Sequence, residues 1–440
     1  MKRNISMDVS FEGIEAERLE AIKSSAVRLF NSMRIASGTK EAGVVWTMAE
    51  SLWPALSLPE FAKDSLQGAA LRIIPLGRIG QMEGKSGSLV VIGFFHDPSR
   101  PDMPHSHPVV IKTLSTEKRD KLREEFENSK SVKPFVYDHK DDFAIPIFFD
   151  DEQPQFHVLW SIFSPSNPIW PVGVAGSVSD SLKVDDLRNP LINGEDELAR
   201  PIIESTFRLL KNLHLRLNRF KIEERKFGTE YARYLRKLDE GDWGSEWREI
   251  WADENTRRIE DSGAEFANPF WILKQLQPIK KHLFIGAVHG DLHPGNIVLA
   301  DGEPRVIDFG WAMDGAHVAK DFVLMECNLR FHTVRPQLNQ RDVYALSDWL
   351  SWDSPIPKGL GAYALKRAEL IQHLRGIAKQ TLGNNRSEVQ WDWEYIVPLF
   401  FVSFGLLRVA PHLGNQQSAV RFVLALASHI ERMIEMENIE

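Results

Sequence analysis

The sequence predicts an α+β fold, and three observations predict it. The hydrophobic period changes near residue 70, from helical three- and four-residue steps to short runs of β-branched and aromatic residues. Between residues 71 and 163 these runs give the order strand, strand, strand, helix, strand, strand, a compact α+β lobe. Helical spacing returns at Glu197 and, interrupted by turns near Ala287 to Ile307, dominates the rest of the chain.

Taken in order, residues 1–67 read as a helical extension. Glu15 to Ile35 places Leu19, Ile22, Ala26, Leu29, Phe30 and Met33 on one stripe, and Gly38 ends it. Val44 to Leu56, carrying Trp46 and Trp53, reads as a second helix. Strands follow at Leu71 to Leu76, Ser88 to Phe95 and Val109 to Leu114. Ser115 or Thr116 can cap a helix from Glu117 to about Lys133, and Phe143 to Phe149 and Phe156 to Phe163 are two further strands. Pro165 to Asn193, rich in proline, glycine and serine, reads as loop. Glu197 to Asn218 is an amphipathic helix, 221–275 is charged and studded with tryptophan, and Ala287 to Ile307 reads as short strands and tight turns. The expected division is an extension over 1–67, a small lobe over 68–163, and a larger, mainly helical lobe over 164–440 with 221–275 inserted.

Composition narrows the function. Of 440 residues, 43% are hydrophobic and 26% charged, which excludes wholesale disorder. The 53 lysines and arginines against 61 acids leave a net charge of −8, unlike the basic stripe of a nucleic-acid binder. A single cysteine, Cys327, excludes an intramolecular disulfide framework and fits a reducing compartment. Met1 to Asn4 opens no apolar signal core, and the most membrane-like stretch, Tyr395 to Leu407, is broken by Pro398, Ser403 and Gly405 and falls short of the ~20 residues a spanning helix needs. The expectation is a cytoplasmic chain without membrane or nucleic-acid partners.

The densest chemical signal is His289-Gly-Asp-Leu-His-Pro-Gly-Asn296, followed by two apolar runs, Ile297 to Leu299 and Arg305 to Ile307, around the turn Asp301-Gly302. If the runs pair as a hairpin, its outer ends converge and the amide of Asn296 neighbours the carboxylate of Asp308. Hard oxygen ligands of this kind suit Mg²⁺, which one or two carboxylates usually hold together with substrate phosphates. Asp291, five residues before Asn296, can take a proton from an attacking hydroxyl.

This constellation resembles the catalytic core of the protein-kinase-like superfamily: His289-Gly-Asp291 and Asn296 match its catalytic loop, and Asp308-Phe-Gly310 its metal-binding triplet. The loop wording is similar to the aminoglycoside phosphotransferase and choline kinase branch, with Gly290 and His293 where protein kinases usually carry arginine and, in the serine/threonine class, lysine. Gly315-Ala-His-Val-Ala-Lys-Asp321-Phe-Val-Leu-Met-Glu326, with Asn268-Pro-Phe270, resembles the ternary-complex-associated domains of bacterial conflict and signalling operons. The resemblance covers residues 68 to about 335; residues 1–67 lie outside it.

It implies a bilobal fold whose small lobe is a five-stranded antiparallel sheet plus a helix, and an enzyme moving the γ-phosphoryl group of ATP, with Mg²⁺, to a hydroxyl. Lys112, on the third strand, is the expected phosphate-binding lysine. Its carboxylate partner lies among Glu124, Glu125 and Glu127; Glu125, flanked by the inward residues Leu122 and Phe126, is preferred and Glu124 is second. Gly84, Ser86, Gly87 and Ser88 form the expected loop over the phosphates, where glycine lets backbone approach phosphate closely. Ser161 and Phe163 fall near the adenine. Asp291 and His289 are the catalytic positions and Asn296 and Asp308 the metal ligands, with His289 favoured as a buttress of the loop. Asp321 is expected to brace that loop. The acceptor is an unidentified small molecule or a protein partner; a nucleotide-binding pseudokinase is the third reading.

Rival readings are weaker. Gly84-Lys-Ser86 lacks the glycine a P-loop needs five residues earlier, where Ile79 stands, and a strand follows it. His289 and His293 have the spacing of a zinc half-site, but Gly290 replaces the glutamate and Pro294-Gly295 breaks the helix it requires. His105 and His107 sit in a proline-rich connection, and Trp243, Trp247 and Trp251 read as a packing stripe.

Overall fold

A computed structural model describes residues 6–9, 15–35, 70–75, 88–97, 100–104, 109–136, 142–162, 185–216, 221–236, 251, 253, 255–300, 302–350, 354–383, 388–407 and 414–437. The second expected helix, Val44 to Leu56, the histidines at 105 and 107, and Trp243 and Trp247 lie outside the described residues. The chain forms two compact units: residues 1–186 with 297–312, and residues 187–296 with 313–440.

The first unit is built on a mixed sheet. Its strands are β1 (Ser6–Val9), β2 (Ala70–Pro75), β3 (Leu89–Asp97), β4 (Arg100–Pro104), β5 (Val109–Ser115), β6 (Pro146–Asp150) and β7 (Phe156–Ile162). The order is β1-β2-β3-β5-β7-β6, with β4 attached to β3. Only the β1–β2 pair is parallel. The sheet therefore has seven strands where five were expected. Both additions have weak signals: β1 is only four residues long, and β4 carries Pro101 and Pro104. Proline cannot donate to a ladder and is tolerated where one side of a strand is open.

A helix lies on each face of this sheet. Helix α1 (Ala16–Ile35) buries Ala21, Ile22, Ala26 and Leu29 in one cluster with Leu71, Ile73, Val91, Val109, Ile111, Val158 and Trp160. The Trp160 indole donates to the Ser25 hydroxyl at 2.9 Å, and Arg28 grips the buried Asp150 carboxylate in a fork at 2.6 to 3.0 Å. Helix α1, within the expected extension over 1–67, thus shares a core with the sheet. Helix α2 (Arg119–Val136) packs Leu122 and Phe126 on Leu114, Leu159 and Phe149. Because side chains alternate along β5, Val109 and Ile111 face α1 while Leu114 faces α2.

The hairpin Ile297–Ala300 and Glu303–Val306 also belongs to this unit, with Ile297 opposite Val306 and Gly302 at φ +82° in its turn. Such a positive φ costs glycine nothing sterically. Asp185–Asp186 pairs with its first strand, and Phe143 bridges Val306.

The second unit combines helices with a three-stranded antiparallel sheet in the order Met313–His317, Lys280–Val288, Lys221–Lys226. The proline-rich stretch ending at Asn193 was read as loop, but Arg188–Asn193 is helical. Gly194 closes it in a left-handed C-cap at φ +77° whose amide donates to the Leu191 carbonyl. The Asn-Gly pair at 193–194 was the available signal. Helix Asp196–His214 buries Ile203, Phe207, Leu210 and Leu213. Helix Val397–Leu406, the stretch considered for a membrane, is buried inside the unit. No helix among the described residues is long and apolar enough to cross a membrane.

Candidate active site

In the first unit the candidate site is a triangle of charge. Lys112 Nζ lies 2.7 Å from Glu125 Oε2 and 3.2 Å from Asp308 Oδ2. Strand alternation puts Lys112 on the α2 face. On α2 the stripe of Leu122 and Phe126 turns Glu125 inward, where it is 6% exposed, and leaves Glu124 exposed. Burial alone would lower the Lys112 pKa, but the carboxylates of Asp308 and Glu125 outweigh it and hold the ammonium above the ordinary lysine value. Burial, helped by the Asp308 charge and only partly offset by Lys112, raises the Glu125 pKa to about 7. Two carboxylates thus share one cation, and the surplus negative charge favours a proton on the more buried of them.

Asp308 holds its place through strain and docking. It adopts φ +64°, uncommon for a residue with a Cβ, and its Oδ1 accepts the Gly310 amide at 3.4 Å. Phe309 is fully buried, edge-on to Phe143 at 6.2 Å. The Asn128 side-chain amide donates to the Gly310 carbonyl at 2.7 Å. Asn128 was missed by sequence reasoning; its signal was the position one helical turn after Glu125.

In the second unit the strand Lys280–Val288 delivers the His289–Asn296 loop. Gly290 stands at φ +77°, with its amide donating to Asp321 Oδ1 at 2.7 Å and its carbonyl accepting the Tyr234 hydroxyl at 2.5 Å. Asp321 Oδ2 accepts the His289 amide at 2.9 Å and meets His214 Nε2 at 2.9 Å. Burial would raise the Asp321 pKa, but His214 and the loop donors outweigh it and hold the carboxyl below its usual range. Tyr234 and His214 also escaped the sequence; their partners are 56 and 107 residues away.

His289 is fully buried, and its Nδ1 accepts the Asp291 amide at 3.3 Å. The Asp291 carbonyl accepts from the His293 amide at 2.9 Å and from Asn296 Nδ2 at 2.8 Å. The Asn296 amide is thereby oriented through its nitrogen, and its oxygen has no hydrogen-bond partner among the described residues. Leu292, fully buried, anchors the loop.

Among the other expected site residues, Ser88 is buried just before β3, and Ser161 is buried in β7 opposite Val110. Gly84, Ser86, Gly87 and Phe163 lie outside the described residues. No group of three or more His, Cys, Asp or Glu side chains among the described residues is arranged to hold a metal ion. Of the two residues expected to ligate Mg²⁺, Asp308 lies in the first unit and Asn296 in the second, and each offers a hard oxygen donor of the kind this ion takes.

Fold and site together define an α+β protein with a Lys–Glu–Asp triangle and a braced His-Gly-Asp loop. Residues 216–403 match the family model described as Ternary complex associated domain 9. Among solved structures the chain is similar to amicoumacin kinase hAmiN in complex with AMP-PNP, Ca²⁺ and Ami, at 12% identity and TM-score 0.37 over 81% of this chain and 85% of that one. It is similar to a thermostable mutant of aminoglycoside phosphotransferase APH(4)-Ia with ADP and hygromycin B, at 10% identity and TM-score 0.37 over 79% and 92%. It is also similar to choline kinase from Cryptosporidium parvum Iowa II, at 10% identity and TM-score 0.36 over 90% and 95%. No curated protein matches.

Proposed function

We propose that the chain transfers the γ-phosphoryl group of ATP to a hydroxyl of a small molecule. The observation that carries the reading is the half-buried Lys112 ammonium bonded at once to Glu125 and Asp308. A lysine fixed by one carboxylate and facing a second, more exposed one is arranged to meet phosphate oxygens on one side and a phosphate-bound cation on the other.

In this reading Lys112 orients the phosphates and Glu125 holds Lys112. Asp308 and Asn296 are the residues that would hold Mg²⁺, which neutralises phosphate charge when bound. Ser88 and Ser161, with Gly84, Ser86, Gly87 and Phe163, belong to the proposed nucleotide contacts. Asp291 aligns the acceptor hydroxyl and takes its proton as the acceptor oxygen bonds to the γ-phosphorus. The bond from that phosphorus to the bridging oxygen breaks, and ADP leaves with the electron pair. His289, buried behind Asp291, positions the loop rather than touching the acceptor. The rate comes mainly from alignment and charge neutralisation.

A second reading, a protein acceptor, is favoured by the match of residues 216–403 to the Ternary complex associated domain 9 model, a family named for its association with a complex. A third is a pseudokinase that binds nucleotide without transfer. Thermal shift with ATP and Mg²⁺, then labelled ATP offered to metabolite pools and to lysate proteins, separates them. Label on a metabolite supports the first reading, and label on a protein the second. Tight binding with no labelled acceptor leaves the third, and no nucleotide binding at all sinks all three.

A further inference from the structure

We propose that Arg188 binds the oxygens of the phosphoryl group in transit and is the fixed cation of the Asp291–Asn296 loop. The inference rests on the phosphotransfer reading above and adds a residue to it. A Cβ placed on Gly295 would lie 2.8 Å from Arg188 Nε, 2.9 Å from Arg188 Cζ and 2.9 Å from His293 Cε1. The guanidinium therefore rests directly on the loop backbone at its one residue without a Cβ. Gly295 is not among the glycines with positive φ, so backbone conformation does not demand glycine there. A Cβ there would instead require the ends of the Arg188 and His293 side chains to shift.

The loop is held in shape around this contact. The Gly295 amide donates to His293 Nδ1 at 3.0 Å, and the Asn296 amide nitrogen to the His293 carbonyl at 2.9 Å. Asn296 Nδ2 closes back on the Asp291 carbonyl at 2.8 Å. One six-residue turn thus sets Asp291, Asn296 and the surface on which the guanidinium rests.

Arg188 is also rigidly mounted. Leu187 and Leu191 on either side of it are fully buried, and Pro190 is buried. The Leu191 carbonyl accepts Arg367 Nη2 at 2.8 Å, and Arg367, itself fully buried, pairs with Asp196 through two bonds at 3.0 Å. A side chain whose backbone is fixed by buried apolar anchors and a buried ion pair is suited to precise contact.

Charge supplies the reason for it. Asp291 is anionic, and residues 289–296 contain no lysine or arginine. A phosphoryl group entering beside Asp291 brings more negative charge, which peaks on its three equatorial oxygens as the bond to ADP breaks and the bond to the acceptor forms. A guanidinium presents several donors in a planar fork that matches such oxygens.

The test uses the full chain as wild type, R188A, R188K and G295A, each first shown to melt at the wild-type temperature without nucleotide. ADP and AMP-PNP with Mg²⁺ are compared by thermal shift, and turnover is read as ADP release from ATP with water as acceptor. Wild type is expected to shift more with AMP-PNP than with ADP. R188A should keep the ADP shift, lose the extra AMP-PNP shift, and lose about a hundredfold in kcat with little change in KM for ATP. R188K, a point charge without the fork, should recover part of the loss. G295A, which displaces the guanidinium, should behave like R188A, and the double variant should be no worse than R188A. Added guanidinium should restore turnover to R188A, a response that a purely structural contact would not give. Full kcat in R188A, or equal loss of both nucleotide shifts, overturns the inference. If wild type shifts with neither nucleotide, the phosphotransfer reading fails first and Arg188 loses its role with it.

Discussion

Asp321 Oδ1 accepts the Gly290 amide at 2.7 Å, so a carboxylate from the first turn of a helix sets the conformation of a loop 31 residues earlier. With its other oxygen on the His289 amide and on His214, it meets three donors in a fully buried place. Asp321→Asn turns an NH₂ toward at least one of them. The expected loss is about 1–3 kcal/mol of stability, read as a lower urea midpoint, together with slower turnover. An unchanged midpoint would remove the bracing role.

Asp308 and Asp291 should separate in assay. Asp308→Ala is expected to abolish ADP release from ATP. Asp291→Asn should leave the thermal shift with ATP and Mg²⁺ nearly intact while turnover falls. Normal turnover in either variant would contradict the roles proposed for them.

Glu125 makes stability depend on pH. Its folded pKa of about 7 lies above the ordinary glutamate value, so between about pH 4.5 and 7 the folded chain binds a proton that the unfolded chain has released. Stability from this group therefore falls as pH rises through that window. Glu125→Gln should flatten the slope of thermal midpoint against pH between 4.5 and 7; an identical slope in both proteins would show that Glu125 does not titrate there.

Glu326 lies at the centre of a buried ionic cluster. It accepts from Arg330 at 2.7 Å, from Arg375 at 2.8 to 3.2 Å and from the Tyr395 hydroxyl at 2.8 Å. Burial opposes its ionisation, but Arg375 and Arg330 bring its pKa down to about 2. Its contribution is present above the ordinary glutamate pKa and is lost as pH falls toward 2. Glu326→Ala strands two guanidiniums and should cost about 3–5 kcal/mol at neutral pH by chemical denaturation.

Helix α1 belongs to the core of the first unit. Ile22 is fully buried against the sheet, and Ile22→Ala should destabilise that unit by about 2–5 kcal/mol, measured by hydrogen exchange at the amides of β5 and β7. Exchange unchanged on those strands would mean that α1 is dispensable.

Much of this was legible in the residues. The α+β class, strands β2, β3, β5 and β7, the starts of α1 and α2, and the hairpin at 297–306 follow from hydrophobic period and turn chemistry, which are local properties. The same local rules put Lys112 in a strand and Asp291, Asn296 and Asp308 at the ends of apolar runs. The resemblance asked for a carboxylate partner to that lysine, the stripe of Leu122 and Phe126 favoured Glu125 over Glu124, and the structure buries Glu125 while leaving Glu124 exposed.

What the tertiary structure decided depends on partners far away in sequence. Strand β1 has too few residues to declare a period, and it exists because β2 offers a free edge. The Asp321, Tyr234 and His214 contacts that shape the His-Gly-Asp loop, and the seat of Arg188 on Gly295, join segments separated by 31 to 107 residues. A sequence records which groups can donate and accept. Which of them meet is settled only when apolar burial has fixed the backbone, because a hydrogen bond depends on tenths of an ångström that no spacing rule carries.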